Sequence, residues 1–151
     1  MLKTAFVLHV LTATIWVGGM FFAYMALRPV AAELLDPPLR LRLWRQVFAR
    51  FFPWVWLAVL VLPLSGYAMA FGAYNGFAHT GVSINIMHGL GWVMIILFAY
   101  VFFIPYKKLA LKIDHEMIPQ AADALAQIRR IIGINLLLGL FIVALAASIR
   151  F

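Results

Sequence analysis

Hydrophobic residues occur in four long runs along the chain, and polar residues are concentrated in the segments between them. The runs are Thr4–Leu27, Trp54–Ala73, Ile84–Ile104 and Ile131–Ile149. Each is close to the roughly 20 residues that an α-helix needs to cross about 30 Å of hydrocarbon. Because only helices and closed barrels satisfy their backbone hydrogen bonds inside a bilayer, the pattern predicts an all-α, integral membrane four-helix bundle. One such domain accounts for residues 1–151.

The composition agrees with a membrane protein. Hydrophobic residues make up 66% of the chain and charged residues 11%, whereas soluble domains carry about 25% charged residues. The sequence contains no cysteine. Disulfides, thiolate metal sites, covalent c-type haem attachment and iron–sulfur clusters are therefore excluded.

The net charge of +7 is unevenly distributed. Only Lys3 and Arg150 lie at one end of the spans. The other ten basic residues lie in the two segments at the opposite end: Arg28, Arg40, Arg42, Arg45, Arg50, Lys107, Lys108, Lys112, Arg129 and Arg130. By the positive-inside rule, we expect a bacterial-type inner membrane protein with both basic segments in the cytoplasm and both termini outside. The expected partners are the lipid bilayer and anionic lipid headgroups at the cytoplasmic face, not nucleic acid.

The first basic segment carries helix signals of its own. Asp36–Pro38 places an acidic cap before two prolines, which is typical of a helix start. Leu39–Phe52 then mixes apolar residues with arginines. We interpret Leu39–Phe52 as a cytoplasmic-side interfacial amphipathic helix that leads into the second span. Arg28 and Pro29 predict the inner end of the first span.

Two histidines lie inside otherwise apolar spans. His9 is about five residues into the first span and His88 about four into the third, so both rings fall in the outer leaflet, roughly 8 Å and 6 Å below the outer ends. Burying an imidazole in hydrocarbon is costly, and such residues are by default candidates for function. Two imidazoles at matched depth suit axial ligation of haem or a metal such as copper. The structural alternative is that each ring only hydrogen-bonds a neighbouring helix.

Further candidate ligands lie at the same end of the spans. Imidazole together with thioether suits Cu(I). His79 in the outer turn, Met69 near the outer end of the second span and Met87 beside His88 are therefore weaker candidates for metal ligands.

Each intramembrane histidine also shares a helical stripe with glycine and tryptophan. Glycine leaves room for a flat macrocycle or a close helix, and a tryptophan on the inner side of each histidine would close a pocket from below. Helical spacing thus adds four candidate cofactor-binding residues: Trp16, Gly19, Gly91 and Trp92. The same stripes also fit surfaces that only pack against other helices.

From these residues we favour a protein that binds a redox-active centre, b-type haem, between the first and third spans through His9 and His88. Electron transfer or another haem-linked redox reaction, with a redox partner or a second copy of the chain, would follow. Copper binding is the alternative, and a non-catalytic membrane assembly subunit is the second alternative. The sequence has no metalloprotease, hydrolase or phosphate-loop motif, so it names no catalytic residue and no substrate.

Several motifs resemble one known family. The first span resembles the first helix of the CopD-type copper-resistance membrane domain at Leu8–Leu11, Ile15–Phe22 and Leu27–Pro29. Later segments look like the short, stand-alone members of that group: Phe48–Phe52, Ser65–Tyr67, Phe103–Leu109 and Arg129–Gly139.

This resemblance covers most of the chain and implies copper uptake or resistance across the inner membrane. The group is also similar to HemJ-type protoporphyrinogen oxidases, four-helix proteins that use a first-helix histidine and bind haem. That pattern includes a lysine in the third helix, which Ile84–His88 lacks. This departure argues against HemJ-type oxidase activity and leaves haem binding open.

Overall fold

Four long helices follow one another along the chain in a computed structural model that describes residues 1–149. They are α1 (Leu2–Leu34), α2 (Pro37–Tyr74), α3 (Val82–Asp114) and α4 (Ile118–Ser148). All four are long and apolar enough to span a membrane, and the described residues contain no strand. The predicted all-α membrane fold is therefore confirmed. Arg150, which the sequence places with the outer basic residues, lies outside the described part.

Short connections make consecutive helices antiparallel neighbours. Residues 35–36 join α1 to α2, residues 75–81 join α2 to α3, and residues 115–117 join α3 to α4. α2 ends where Asn75 adopts a left-handed backbone with φ 57° and Gly76 follows with φ 111°, a common way to end a helix. The closest packing lies within the pairs α1–α2 and α3–α4, and α4 also contacts α1 and α2.

Two of the helices continue through prolines near the end of the bundle that carries the basic segments, which is the predicted inner end. A π-helical turn, Ala23–Leu27, precedes Pro29 in α1, and a second, Phe102–Tyr106, includes Pro105 in α3. Proline lacks an amide hydrogen and crowds the carbonyl four residues earlier, and a π turn accommodates such a local change in hydrogen bonding. The sequence places the end of the first span at Pro29, but the helix itself proceeds to Leu34.

The inner end of α2 corresponds to the predicted interfacial helix. Leu39–Phe52 is continuous with the membrane-crossing part of α2 and is not a separate helix. The Phe48 ring lies 6.1 Å from that of Tyr106 in α3, and Arg45 forms a two-pronged ion pair with Asp114. One stripe of this segment is buried in the bundle and does not lie on the bilayer: Leu41, Trp44, Phe48 and Phe52.

Aromatic rings form the centre of the bundle. Phe52 of α2 is only 2% exposed and contacts Phe98, Phe102 and Tyr106 of α3. Trp16 of α1 meets Phe98 edge-on, with ring centroids 6.1 Å apart. Such pairs contribute about 0.5–1.5 kcal/mol beyond the area that they bury. The cluster therefore links α1 and α2 to α3, with which they make few close backbone contacts.

Gly139 lets α4 approach two other helices. A methyl group at this position would lie 2.9 Å from Val17 Cγ2 in α1 and 3.2 Å from Met94 Cε in α3. Gly18 of α1 differs, since a methyl group there would meet no atom within 4 Å. The two glycines provide a matched test of this packing.

We expect Gly139→Leu to lower the free energy of unfolding by about 1–3 kcal/mol, because overpacking forces α4 away from α1 and α3. The same change at Gly18 should leave stability unchanged or raise it, since leucine has the higher helix propensity. Thermal unfolding of both variants in detergent measures the difference. Equal melting temperatures for the two variants would contradict the close approach at Gly139.

Candidate functional site

His9 is held against α2 by a hydrogen bond to Ser65. Nδ1 of His9 lies 2.8 Å from Ser65 Oγ, and Ser65 Oγ lies 2.6 Å from the carbonyl oxygen of Val61. A carbonyl oxygen can only accept, so Ser65 donates its single hydroxyl hydrogen within its own helix. The hydrogen between His9 and Ser65 therefore comes from Nδ1 of His9.

This arrangement fixes the tautomer of the neutral imidazole. With its hydrogen on Nδ1, His9 carries a free lone pair on Nε2. The Leu62 backbone also hydrogen-bonds the ring, and because a carbonyl oxygen can only accept, this contact too takes a ring N–H. Metal-binding histidines are usually oriented in this way, with the other ring N–H donated to a neighbouring oxygen. His9 thus presents an unprotonated nitrogen from a half-buried position.

The face of α2 that meets His9 also carries a thioether. A methyl group at Gly66 would lie 3.6 Å from His9 Cε1, and one at Gly72 would lie 2.7 Å from Leu2 Cδ2. Both positions therefore face α1. Met69 follows Ser65 by four residues and precedes Gly72 by three, which places it on this same face, one turn outward of Ser65.

His88 occupies an aromatic pocket. Its ring centroid lies 4.4 Å from that of Phe77 in the outer turn, 5.4 Å from that of Tyr67 in α2 and 6.4 Å from that of Trp92. Tyr67 and Ser65 are two residues apart and so point about 200° apart around the α2 axis. Gly66, which also lies beside His9, is only about 100° from Tyr67, so the two histidines contact different but not opposite sides of α2.

The tryptophans and glycines of the two histidine stripes have different surroundings. Trp16 is buried in the aromatic centre, whereas Trp92 is 41% exposed. A methyl group at Gly19 would overlap the ring of Phe51, so this glycine makes room for a side chain of α2. Gly91 faces open space. The structure does not gather these four residues around one pocket with the histidines.

The weaker candidate ligands are also spread out. His79 is exposed in the short 3₁₀ turn Phe77–His79, and Met87 is half-buried beside His88 on α3. In the part of the chain that the structure describes, no three His, Cys, Asp or Glu side chains are grouped to hold a metal ion. Histidine together with methionine sulfur is a ligand set of another kind, and it suits Cu(I).

Three residues that contact the histidines are absent from the predicted site: Ser65, Tyr67 and Phe77. Ser65 carried an available signal, because it is the only polar residue other than tyrosine and tryptophan in Trp54–Ala73. A hydroxyl that is buried in an apolar span without a hydrogen bond is costly. Pairing the Ser65 hydroxyl with the His9 imidazole from the sequence alone would have predicted this contact.

We expect Ser65→Ala to lower the free energy of unfolding by about 0.6–2 kcal/mol, since it removes a hydrogen bond between two membrane helices. Ser148→Ala is the matched control, because the exposed Ser148 hydroxyl bonds the Leu145 carbonyl of its own helix. Combining Ser65→Ala with His9→Ala in a double-mutant cycle, followed by thermal unfolding, isolates the contact. Additive effects of the two substitutions would show that it contributes nothing.

The four long apolar helices define a multi-pass membrane protein. The model of the copper resistance protein D (CopD) family matches residues 45–149, well over half of the chain. The protein therefore belongs to the CopD family. Ser65, Met69 and His88 lie within the matched segment, and His9 precedes it.

Other comparisons add no relative. No curated protein and no solved structure matches the chain. Neither a relation to HemJ-type oxidases nor the binding of haem receives support from them. Of the functions weighed from the sequence, the copper alternative agrees better with the family than the favoured haem hypothesis does.

Proposed function

We propose that this protein handles copper, and that Cu(I) binds as its cargo in the outer half of the α1–α2 interface. Uptake or resistance is the process that fits membership of the CopD family. The observation that carries the proposal is the hydrogen bond from His9 Nδ1 to Ser65 Oγ. It orients the imidazole and leaves Nε2 as a ligand atom.

Met69 supplies the second ligand in this proposal. Its side chain starts from the α2 face that His9 contacts, and residues four apart on a helix have Cβ atoms about 5–6 Å apart. Thioether sulfur is a soft donor that favours Cu(I) over harder cations. Imidazole and thioether together thus form a site without any carboxylate or thiolate, in keeping with an outer half that lacks both.

This geometry does not support His9 and His88 as the two axial ligands of one haem. His9 contacts α2 at Ser65 and Gly66, whereas His88 contacts it at Tyr67, further round the same helix. Helices α1 and α3 also do not form one of the closely packed pairs. Cu(I)-binding measurements also distinguish copper handling from haem binding and from an assembly subunit without a ligand.

We expect the detergent-purified protein to bind Cu(I), and His9→Ala to weaken binding more than tenfold because a ligand is lost. Ser65→Ala should weaken it about 10–100-fold, which is the usual effect of removing the partner that orients a metal-bound histidine. Met69→Leu, which keeps volume and removes the soft donor, should also weaken binding. Competition with a chromogenic Cu(I) chelator gives the affinities.

Met87→Leu is the matched control, since Met87 is also half-buried but lies on α3. It should bind Cu(I) as the parent does. Unchanged Cu(I) affinity in His9→Ala would overturn the proposed site. A Soret band lost in both His9→Ala and His88→Ala would restore the haem hypothesis, and a protein that takes up neither ligand would favour the assembly subunit.

We further propose that the protein lies in a bacterial-type inner membrane with both termini outside. Ten basic residues at one end of the spans against two at the other support this orientation. It places His9 and Met69 on the side from which extracellular copper arrives. It also brings the basic segments to the cytoplasmic leaflet, where anionic lipid headgroups are the expected contacts.

Reporter fusions test this orientation. A reporter active only outside the cytoplasm should be active when fused after Phe151 and inactive when inserted at Pro37–Arg42, because the basic segments stay on the cytoplasmic side. A reporter active only in the cytoplasm should give the reverse pattern. Activity of the outside reporter at Pro37–Arg42 would contradict the assignment.

A further inference from the structure

A cavity lies at the inner end of the bundle, away from His9. It has a volume of about 270 Å³ and opens between the inner ends of α1, α2 and α4. Its lining combines guanidinium groups with aromatic and aliphatic side chains, among them Tyr24, Arg28, Arg40, Trp44, Arg129 and Ile132.

The three arginines of this cavity form an unbalanced cluster of positive charge. Arg28 lies over the Tyr24 ring at 4.9 Å, and Arg40 reaches the Ala32 carbonyl oxygen at 3.5 Å. Among the residues that the structure describes, none of the three arginines pairs with a carboxylate. The ion pair found there joins Arg45 to Asp114. No acidic side chain lines the cavity. Like charges converging on one cavity repel one another unless an anion joins them.

The depth of the cluster identifies the kind of anion. Arg28 directly follows the apolar run of α1, and Arg129 lies two residues before that of α4. Both therefore lie at the level where hydrocarbon gives way to headgroups, which is where lipid phosphates are found. The remainder of the wall is apolar, with Phe48, Leu125 and Ile132. A small soluble anion would leave that apolar wall uncovered.

We propose that this cavity is a specific site for one phosphate-bearing anionic lipid. Its phosphate is held by Arg28, Arg40 and Arg129, whose planar guanidinium groups suit bidentate contact with phosphate oxygens. Its chain covers the apolar wall. The site is independent of copper binding, and it differs from diffuse attraction of the basic segments because it depends on the shape of the cavity as well as on charge.

Native mass spectrometry of the purified protein with added phosphatidylglycerol or phosphatidylcholine tests the proposal. We expect retention of one phosphatidylglycerol in preference to phosphatidylcholine. Arg129→Gln should weaken that retention about fivefold, the effect of one basic residue near an anionic surface. Arg130→Gln is the matched control, since it removes the same charge from the next position of α4 outside the cavity, and it should retain the lipid as the parent does.

A second variant tests shape without changing charge. Ala126 lines the cavity and is exposed, so Ala126→Trp should fill the space, leave the helix intact and expel the lipid. Glycerol phosphate, which carries the phosphate without chains, should not compete. Equal loss in Arg129→Gln and Arg130→Gln, full retention in Ala126→Trp, or displacement by glycerol phosphate would each overturn a lipid site in this cavity.

Discussion

Hydrocarbon offers no hydrogen-bond partner, so a polar group that this chain places inside the bilayer has to find one within the protein. The hydroxyls of Thr12 and Ser65 return to carbonyls one turn earlier in their own helices. Asn135 donates from α4 to the Met94 carbonyl of α3 at 3.3 Å, while its Oδ1 is buried without a partner among residues 1–149. His9 is paired at one ring nitrogen by a hydroxyl that has already donated its hydrogen. The same constraint that builds four helices therefore also leaves His9 with one nitrogen free for chemistry.

The four-helix fold could be predicted because the lengths of the four apolar runs alone determine it. The ends of the helices could not, because a proline next to a π turn continues the helix, whereas the local rule for Pro29 predicts an end. His9 stood out by its isolation in an apolar run, but its partner did not. Which face of α2 meets α1 depends on close approaches such as that of Phe51 to Gly19, which no single helix encodes. Trp92 illustrates the same limit of sequence-based prediction. A helix face that meets lipid is as apolar as one that packs inside the bundle, so the sequence does not indicate that Trp92 is exposed.

The two proposed sites divide the molecule by depth. His9 and Met69 belong to the outer half of the α1–α2 interface, and the arginine cavity belongs to the inner ends of α1, α2 and α4. α2 contributes to both, through Ser65 and through Arg40, which are separated by about 37 Å at the rise of a regular helix. A helix that is packed on aromatic rings midway along its length keeps those two environments at a fixed separation. Changes at one end are therefore not expected to rearrange the ligand atoms at the other.

The outer turn, residues 75–81, has a consequence for how the chain is made. It contains no Lys, Arg, Asp or Glu, and it is the only connection that must cross the bilayer during synthesis in the proposed orientation. Each charged residue brought to the middle of a membrane helix costs about 2.5–3.5 kcal/mol during insertion. An uncharged turn removes that barrier, so α2 and α3 can enter the membrane together as one helical hairpin. The charges of the inner segments meanwhile remain on the side where the ribosome delivers them.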